Sequence, residues 1–290
     1  ARSLQLPLVG SYHTEFGEYT ARLSGSPRLG ALMHEYMRWV YGACSQLLVP
    51  SAVTRRQLEV AGWPGGRLRI WPRGVDATRF APSRRSVELR NKWQVSDHRP
   101  AILYAGRLSR EKGLQLLEGL RQLLDDHRMP HRFILAGDGP LAPDLRAMLP
   151  DAVFTGTVTH EAMGEIMASS DLFVFPSETD TAGNVVLEAQ AAGLPVLVTD
   201  RGGPRENMLD RTTGYVCRAG SERDFAWRVA ELLVDPARRL TVSAAARAYA
   251  LTRGWPASMT PLFECYREVL NAARVQDLSS RPAPRAPAHV

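Results

Sequence analysis

The sequence predicts an α/β protein built from two domains, each on an open parallel sheet, and three observations carry that reading. From residue 100 onward, short apolar runs alternate with amphipathic stretches of helical length. The runs are apolar throughout rather than on alternate residues, which fits strands covered on both faces. The glycine-rich and charged segments fall just after these runs, where open α/β sheets hold their ligands.

Taken in order, residues 6–12 read as a strand, 30–44 as a helix, 46–49 as a strand, 51–61 as a helix capped by Ser51, and 69–71 as a strand. Three strands with two helices make residues 1–80 a thin first domain, because a parallel sheet normally holds more. The expectation is an incomplete N-terminal domain whose missing strands are absent from the chain or supplied by another segment or chain. Residues 76–99, with Pro82, Ser83, Arg84, Arg85 and Ser86, form the connection. In a second domain, 88–253, strands are expected at 101–105, 132–136, 152–155, 171–175, 195–199 and 214–217. Helices are expected between them at 113–125, 141–149, 161–169, 184–192 and 205–208. Residues 254–270 read as a final helix, apolar on one side through Met259, Leu262, Phe263, Tyr266 and Leu270, that crosses back to the first domain. The tail 271–290, with Pro282, Pro284 and Pro287, has too little apolar content to fold.

Composition narrows the function. Of the 290 residues 44% are hydrophobic, enough for one large core or two smaller ones. Cys44, Cys217 and Cys265 are scattered without a C-x-x-C pair, which argues against a disulfide framework or thiolate zinc site and fits a reducing cytoplasm. No apolar run approaches the roughly 18 residues of a membrane-spanning helix, and residues 1–5 do not begin a signal peptide. The net charge of +6 favours anionic partners, yet its lysines and arginines are dispersed without aromatic interleaving, so nucleic-acid binding is not expected.

The most informative stretch is residues 173–188, FVFPSETDTAGNVVLE. A strand leads into a polar loop, turns at Gly183 and opens a helix whose first amides, at Gly183, Asn184 and Val185, can receive a phosphate. Glu188, one turn in, offers two acceptor oxygens to vicinal hydroxyls such as those of a ribose. On spacing alone, Asp180 as a helix cap and Glu188 as a surface residue is an equal reading. Arg107 and Lys112 stand in a glycine-flanked loop after another strand, where a planar fork and a point charge suit a diphosphate; a solvated surface pair is the alternative. No aspartate-x-aspartate spacing marks a metal-dependent transferase, so neither a metal nor a cofactor is expected.

GRLSREKG at 106–113, GDGP at 137–140, FTGTV at 154–158 and FPSETDTAGNVVLE at 175–188 resemble, in that order, the motifs of a large family of retaining glycosyltransferases. The family includes bacterial phosphatidylinositol mannosyltransferases, sulfoquinovosyl transferases and glycogen synthases. GSYHTEF at 10–16 and WPRGVD at 71–76 are similar to that family's histidine segment and domain-exit signature. The resemblance implies a GT-B fold of two Rossmann-like domains, and it implies transfer from a nucleotide-sugar, such as GDP-mannose or UDP-glucose, to a hydroxyl acceptor. His13, Arg107, Lys112 and Asp180 become its catalytic candidates. Gly106, Gly137, Asp138, Gly139, Val158, Gly183, Asn184, Val185 and Glu188 become its donor-binding candidates. Asp180 stands where the family more often has Glu, keeping the charge with a shorter reach.

The acceptor is less determined. Arg22, Arg28, Arg38, Arg55 and Arg56 surround the helix near residues 29–40 and offer contact with an anionic membrane, which favours a lipid or lipid-linked glycan and a place at the inner membrane face. The competing reading packs Leu32, Met33, Tyr36 and Trp39 of that helix into the core. Two other functions stand beside transfer: a binding module for a nucleotide or sugar phosphate, and a UDP-sugar epimerase of related fold, whose acid–base carboxylates are not evident.

Overall fold

In the computed structural model, which describes residues 6–280, the backbone forms two parallel sheets, of three and six strands. The smaller begins with β1 (Val9–Ser11), continues through helices α1 (Phe16–Ser24) and α2 (Pro27–Tyr41) to β2 (Gln46–Val49), and ends with α3 (Ala52–Val60) and β3 (Leu68–Ile70). Its order is β1-β2-β3. Successive residues of a strand face opposite sides, so Leu47 and Val49 pack with Tyr12, Leu58, Trp63 and Leu68 on one face. Leu48 packs on the other, against Leu262, Cys265 and Val269 of the last helix.

Two expectations about this region change. The strand expected at 6–12 is confined to Val9–Ser11, and α1 occupies residues to which the sequence reading assigned no element. Ser26 starts α2 by accepting the Leu29 amide, with Pro27 in the first turn. Along that helix Leu29, Leu32, Tyr36, Trp39 and Val40 are exposed, Trp39 by 75% and Leu32 by 67%, so the core-packing reading does not hold. Their spacing of three, four, three and one is a single helical stripe. The Arg22 side chain lies outside the described residues.

The larger sheet follows the connecting segment, which contains α4 (Val87–Lys92). It comprises β4 (Ala101–Ala105), α5 (Leu116–Asp126), β5 (Arg132–Ala136), α6 (Ala142–Met148), β6 (Val153–Gly156) and α7 (His160–Ser169). It then returns through β7 (Leu172–Phe175), α8 (Asn184–Ala191), β8 (Val196–Thr199) and β9 (Gly214–Cys217), and is closed by α9 (Glu222–Val234) and α10 (Pro236–Leu251). The order β6-β5-β4-β7-β8-β9 places the first strand in the middle, so the chain builds outward one way and then the other. Ile102, Leu103, Ile134, Leu135, Leu172, Phe173, Val196 and Leu197 are fully buried, which is why these runs carry no polar alternation.

The two compact units meet in sequence at Trp71 and Pro72 rather than near residue 80, because Val75 and Phe80 join the large core. Pro50–Thr54 also groups with the second unit, whereas residues 259–280 group with the first. The last helix, α11 (Trp255–Ser280), runs ten residues past the expected end at 270. Residues 271–280 are therefore helical instead of an unfolded tail, and the expectation for 281–290 falls outside the described residues.

One buried ion pair fastens the connecting segment beneath the large sheet. Asp171, just before β7, accepts from Arg90 at 2.9 Å, Arg85 at 2.8 Å and the Ala101 amide at 2.8 Å. The Asp171 and Arg90 side chains are each 10% exposed. Asp171→Ala strands a buried guanidinium and should cost about 3–5 kcal/mol. Urea unfolding checks this, and a loss below about 1 kcal/mol would mean that solvent reaches the pair.

Candidate active site

The loop after β4 is set by its backbone. Gly106 donates to Ala136 (2.9 Å), Leu108 donates to Asp138 (2.9 Å), and Leu141 donates back to Leu108 (2.9 Å). The Tyr104 hydroxyl donates to the Arg107 carbonyl at 2.9 Å. The Leu108 side chain is buried, which leaves Arg107 beside it exposed. The two glycine motifs have a packing reason: a Cβ at Gly137 would stand 2.0 Å from the Gly106 oxygen, and one at Gly139 would stand 2.3 Å from the Leu108 oxygen. Asp138 is exposed, and its carboxylate accepts the amide of the next residue, Gly139, at 2.7 Å.

Across from this loop lies the one after β7. β4 and β7 are neighbours, but α5 carries the chain away on one side and α8 on the other, which opens the crevice of a doubly wound sheet. The short 3-10 turn Arg110–Lys112 ends at Gly113, where φ is +69° and a Cβ would meet the Pro176 oxygen at 2.5 Å. Lys112 Nζ donates to both oxygens of Asp180, at 2.8 and 2.9 Å, with each side chain about one-fifth exposed (20% and 23%). Asp180 is therefore not the cap of α8, and Lys112 is not a freely solvated surface charge. The residue before the helix is Gly183, at φ +65°. It presents the first-turn amides of Gly183, Asn184 and Val185, which have no partner within the helix.

Glu188, four residues into α8, is half-buried. Burial pushes its carboxyl above the ordinary glutamate value of 4.5, an effect that His160 and Arg79 oppose. Val158, half-buried, packs its side chain against the core in the loop after β6. These residues all stand at the carboxyl ends of the adjacent strands β6, β5, β4 and β7. His13 belongs to the other unit, exposed past the end of β1 and edge-on to Trp71 at 6.3 Å. Among the described residues no group of three His, Cys, Asp or Glu side chains could hold a metal ion.

Sequence reasoning missed the segment after β8. The Gly203 amide donates to the Asp180 carbonyl at 2.8 Å, and a Cβ at Gly203 would stand 2.0 Å from the Thr181 oxygen. At the end of the 3-10 turn Pro204–Asn207, the Asn207 amide donates to the carbonyls of Ala182 and Gly183. The Gly202-Gly203-Pro204 run was the available signal, since β8 adjoins β7 and its loop must abut the one after β7.

The family model described as "Glycosyl transferases group 1" matches residues 99–235, and that of "Glycosyltransferase Family 4" matches residues 1–79. The chain is 33% identical to a GDP-mannose-dependent alpha-mannosyltransferase of Corynebacterium glutamicum, over 93% of this chain and 63% of the relative. It is 34% identical to the Mycobacterium tuberculosis protein of the same description, over 93% of this chain and 68% of that one. The chain thus spans about two-thirds of these relatives' length. The Anabaena protein HepE, solved in complex with UDP-glucose, superposes with a TM-score of 0.73 at 21% identity, over 93% of this chain and 72% of that one.

Because burial disfavours the Glu188 carboxylate, the folded state binds this proton more tightly than the unfolded chain does. Stability therefore falls as pH rises from the ordinary glutamate value through the raised folded one, and the deficit persists above it. Glu188→Gln should stabilise the protein at pH 7 by about 1.4 kcal/mol per unit of displacement. The gain should vanish below about pH 4. Chemical denaturation of both proteins across this range checks the sign, and a glutamine variant less stable at pH 7 would contradict it.

Proposed function

Since the chain belongs to the group 1 glycosyltransferases, whose GT-B fold of two Rossmann-like units it shares, we propose that it moves a hexosyl group from a nucleotide-sugar to a hydroxyl acceptor. The transfer retains anomeric configuration and needs no metal. The observation that carries this reading is the meeting of Lys112, Asp180 and the open amides of α8 across the β4/β7 crevice. A nucleoside diphosphate leaves only if charge growing on its β-phosphate meets fixed donors. Lys112, Arg107 and the amides of Gly183 to Val185 are such donors, and they supply the charge that a divalent cation supplies elsewhere.

Glu188 takes the ribose hydroxyls, where its uphill ionisation is relieved by hydrogen bonds from the ligand. Lys112 exchanges the Asp180 carboxylate for phosphate, which frees Asp180 for the hydroxyls of the sugar. Gly106, Gly137, Asp138 and Gly139 shape the loops around the diphosphate, and Val158 borders the base. His13 is the remaining candidate for sugar binding. On the retaining course, the anomeric bond to phosphate breaks as the acceptor oxygen bonds on the same face, and the departing phosphate oxygen takes the acceptor proton. GDP-mannose, named for both relatives, is the first donor to try, and UDP-glucose, named for the Anabaena complex, is the second.

The acceptor in this reading is a lipid or lipid-linked glycan at the cytoplasmic membrane face. The exposed stripe Leu29, Leu32, Tyr36, Trp39 and Val40, with Arg28 and Arg38 on the same helix, supports it. No helix among the described residues is long and apolar enough to cross a membrane. The protein should sediment with vesicles rich in anionic phospholipid, and Trp39→Ala together with Leu32→Ser should reduce the bound fraction severalfold. Equal binding to neutral and anionic vesicles would remove the arginines from the account, and binding to neither would remove the membrane.

Calorimetry separates the roles within the donor site. Lys112→Ala and Arg107→Ala should weaken nucleoside diphosphates far more than the bare nucleoside and depress transfer. Glu188→Ala should weaken both by about 2 kcal/mol if a charge-assisted ribose bond is lost. Asp180→Asn should tighten the diphosphate severalfold by releasing Lys112, yet lower turnover. Equal losses for nucleoside and diphosphate in the Lys112 variant would refute the phosphate assignment. Tight donor binding without transfer to any acceptor would make the chain a binding module.

A further inference from the structure

The loop that offers Gly183, Asn184 and Val185 is not shaped by its own sequence alone. A peptide group is planar and trans, so the carbonyl of one residue and the amide N–H of the next point to opposite sides, and the described residues contain no cis peptide bond. Whatever holds the carbonyls of Ala182 and Gly183 inward therefore turns the amides of Gly183 and Asn184 outward. The side-chain amide of Asn207 donates to both carbonyls. The Gly183 carbonyl also accepts the Val186 amide at 3.0 Å, which commits that oxygen to the helix.

Asn207 is itself held from three directions. It is 6% exposed. Arg253 approaches its side-chain oxygen at 3.4 Å, and since a guanidinium only donates, the oxygen faces Arg253 and the NH₂ faces the loop. Gln190, fully buried on the inner face of α8, donates to the Asn207 carbonyl at 2.6 Å and to the Val186 carbonyl at 3.1 Å. Pro204, at the other end of the same 3-10 turn, lies where a Cβ at Gly183 would meet it at 2.7 Å. Gly203 adds the bond to the Asp180 carbonyl. The segment after β8 thus grips the donor loop at residues 180, 182 and 183.

We propose that Asn207 is a positioning residue for the anion-receiving turn: its amide fixes the 182–183 and 183–184 peptide planes and so creates the outward pair of N–H groups. The proposal rests on the diphosphate reading of the site for its ligand, but not for its geometry. Asn207 touches neither donor nor acceptor in this scheme. It acts through the orientation of the backbone, and removing it lets those planes rotate so that a carbonyl oxygen can face the phosphate.

Two variants test it. Asn207→Ala removes the donor, and Asn207→Asp keeps the shape while setting a carboxylate against two carbonyls. Hydrogen exchange of the unliganded protein, followed by peptide mass spectrometry, should show the bonded amides 186–188, the first of which depends on the Gly183 carbonyl, exchanging at least tenfold faster in both variants, with the strands β4, β5 and β7 unchanged. Calorimetry with UDP and GDP should then show at least a tenfold loss of diphosphate affinity, while uridine and guanosine bind as to the parent protein. In transfer assays the donor KM should rise and kcat should fall while the acceptor KM stays put. Unchanged exchange at 186–188 would overturn the proposal, whatever the ligand data. Faster exchange across the whole second unit would overturn it too, by making Asn207 a general stability residue. If exchange accelerates locally but the parent protein binds neither UDP nor GDP, the peptide-plane role stands and the diphosphate reading falls.

Discussion

The site depends on one topological constraint: the strand that opens the large sheet lies in its middle. Because β4 is flanked by β5 and β7, the chain leaves its carboxyl end toward one flank and later returns to build the other. The loops after β4 and β7 then have no strand or helix to share and part at the sheet edge. Lys112 and Asp180, separated by 68 residues in sequence, close the gap with a direct ion pair. Each stays partly wet, so their attraction is moderate, and a competing anion can replace the carboxylate without stranding a buried charge. A pair as dry as Arg90 and Asp171 would hold too firmly to take part in exchange.

Backbone packing supplies the precision the charges need. The loops after β4 and β5 touch through Gly106, Gly137 and Gly139 at separations no side chain would allow, and those after β7 and β8 touch through Gly203 and Thr181. Four adjacent loops thus brace one another in two pairs, and Gly113 against Pro176 links the pairs. Glycines that sequence reasoning assigns to ligand contact have, in the structure, a prior reason to be glycine. They let the loops that carry Arg107, Lys112 and the α8 amides approach one another closely.

Much of this was legible in the sequence because buried parallel strands announce themselves. Runs such as residues 101–105 and 132–136 are apolar throughout, and their bounds match the structure at both ends. Weaker signals misled. Gly17, Thr20 and Ala21 dilute the helical pattern of α1, while Leu6 and Leu8 suggested a strand longer than the three residues that pair with β2. The stripe on α2 has the periodicity of a core face, and periodicity cannot tell a buried face from an exposed one. Pairings across the crevice were invisible for a different reason: the Lys112–Asp180 and Asn207–Gly183 bonds depend on strand order, which a list of elements leaves open.

Glu188 shows how the fold places a cost where a ligand can relieve it. Its carboxyl sits one turn inside a helix whose inner residues, Val186, Leu187, Ala189 and Gln190, are all buried, so the charge is drawn partly out of water and its ionisation is disfavoured. Nothing in the packing of α8 requires an acid there. A glutamine would fill the same volume without the penalty, and the sheet beneath would not change. An acid drawn partly out of water in this way is relieved by whatever favours its charged form, and paired hydroxyl donors do so without bringing a competing charge. The same logic covers the first-turn amides before it, which have no partner within the helix: four adjacent strands and two interlocked pairs of loops supply the rigidity that holds them in place.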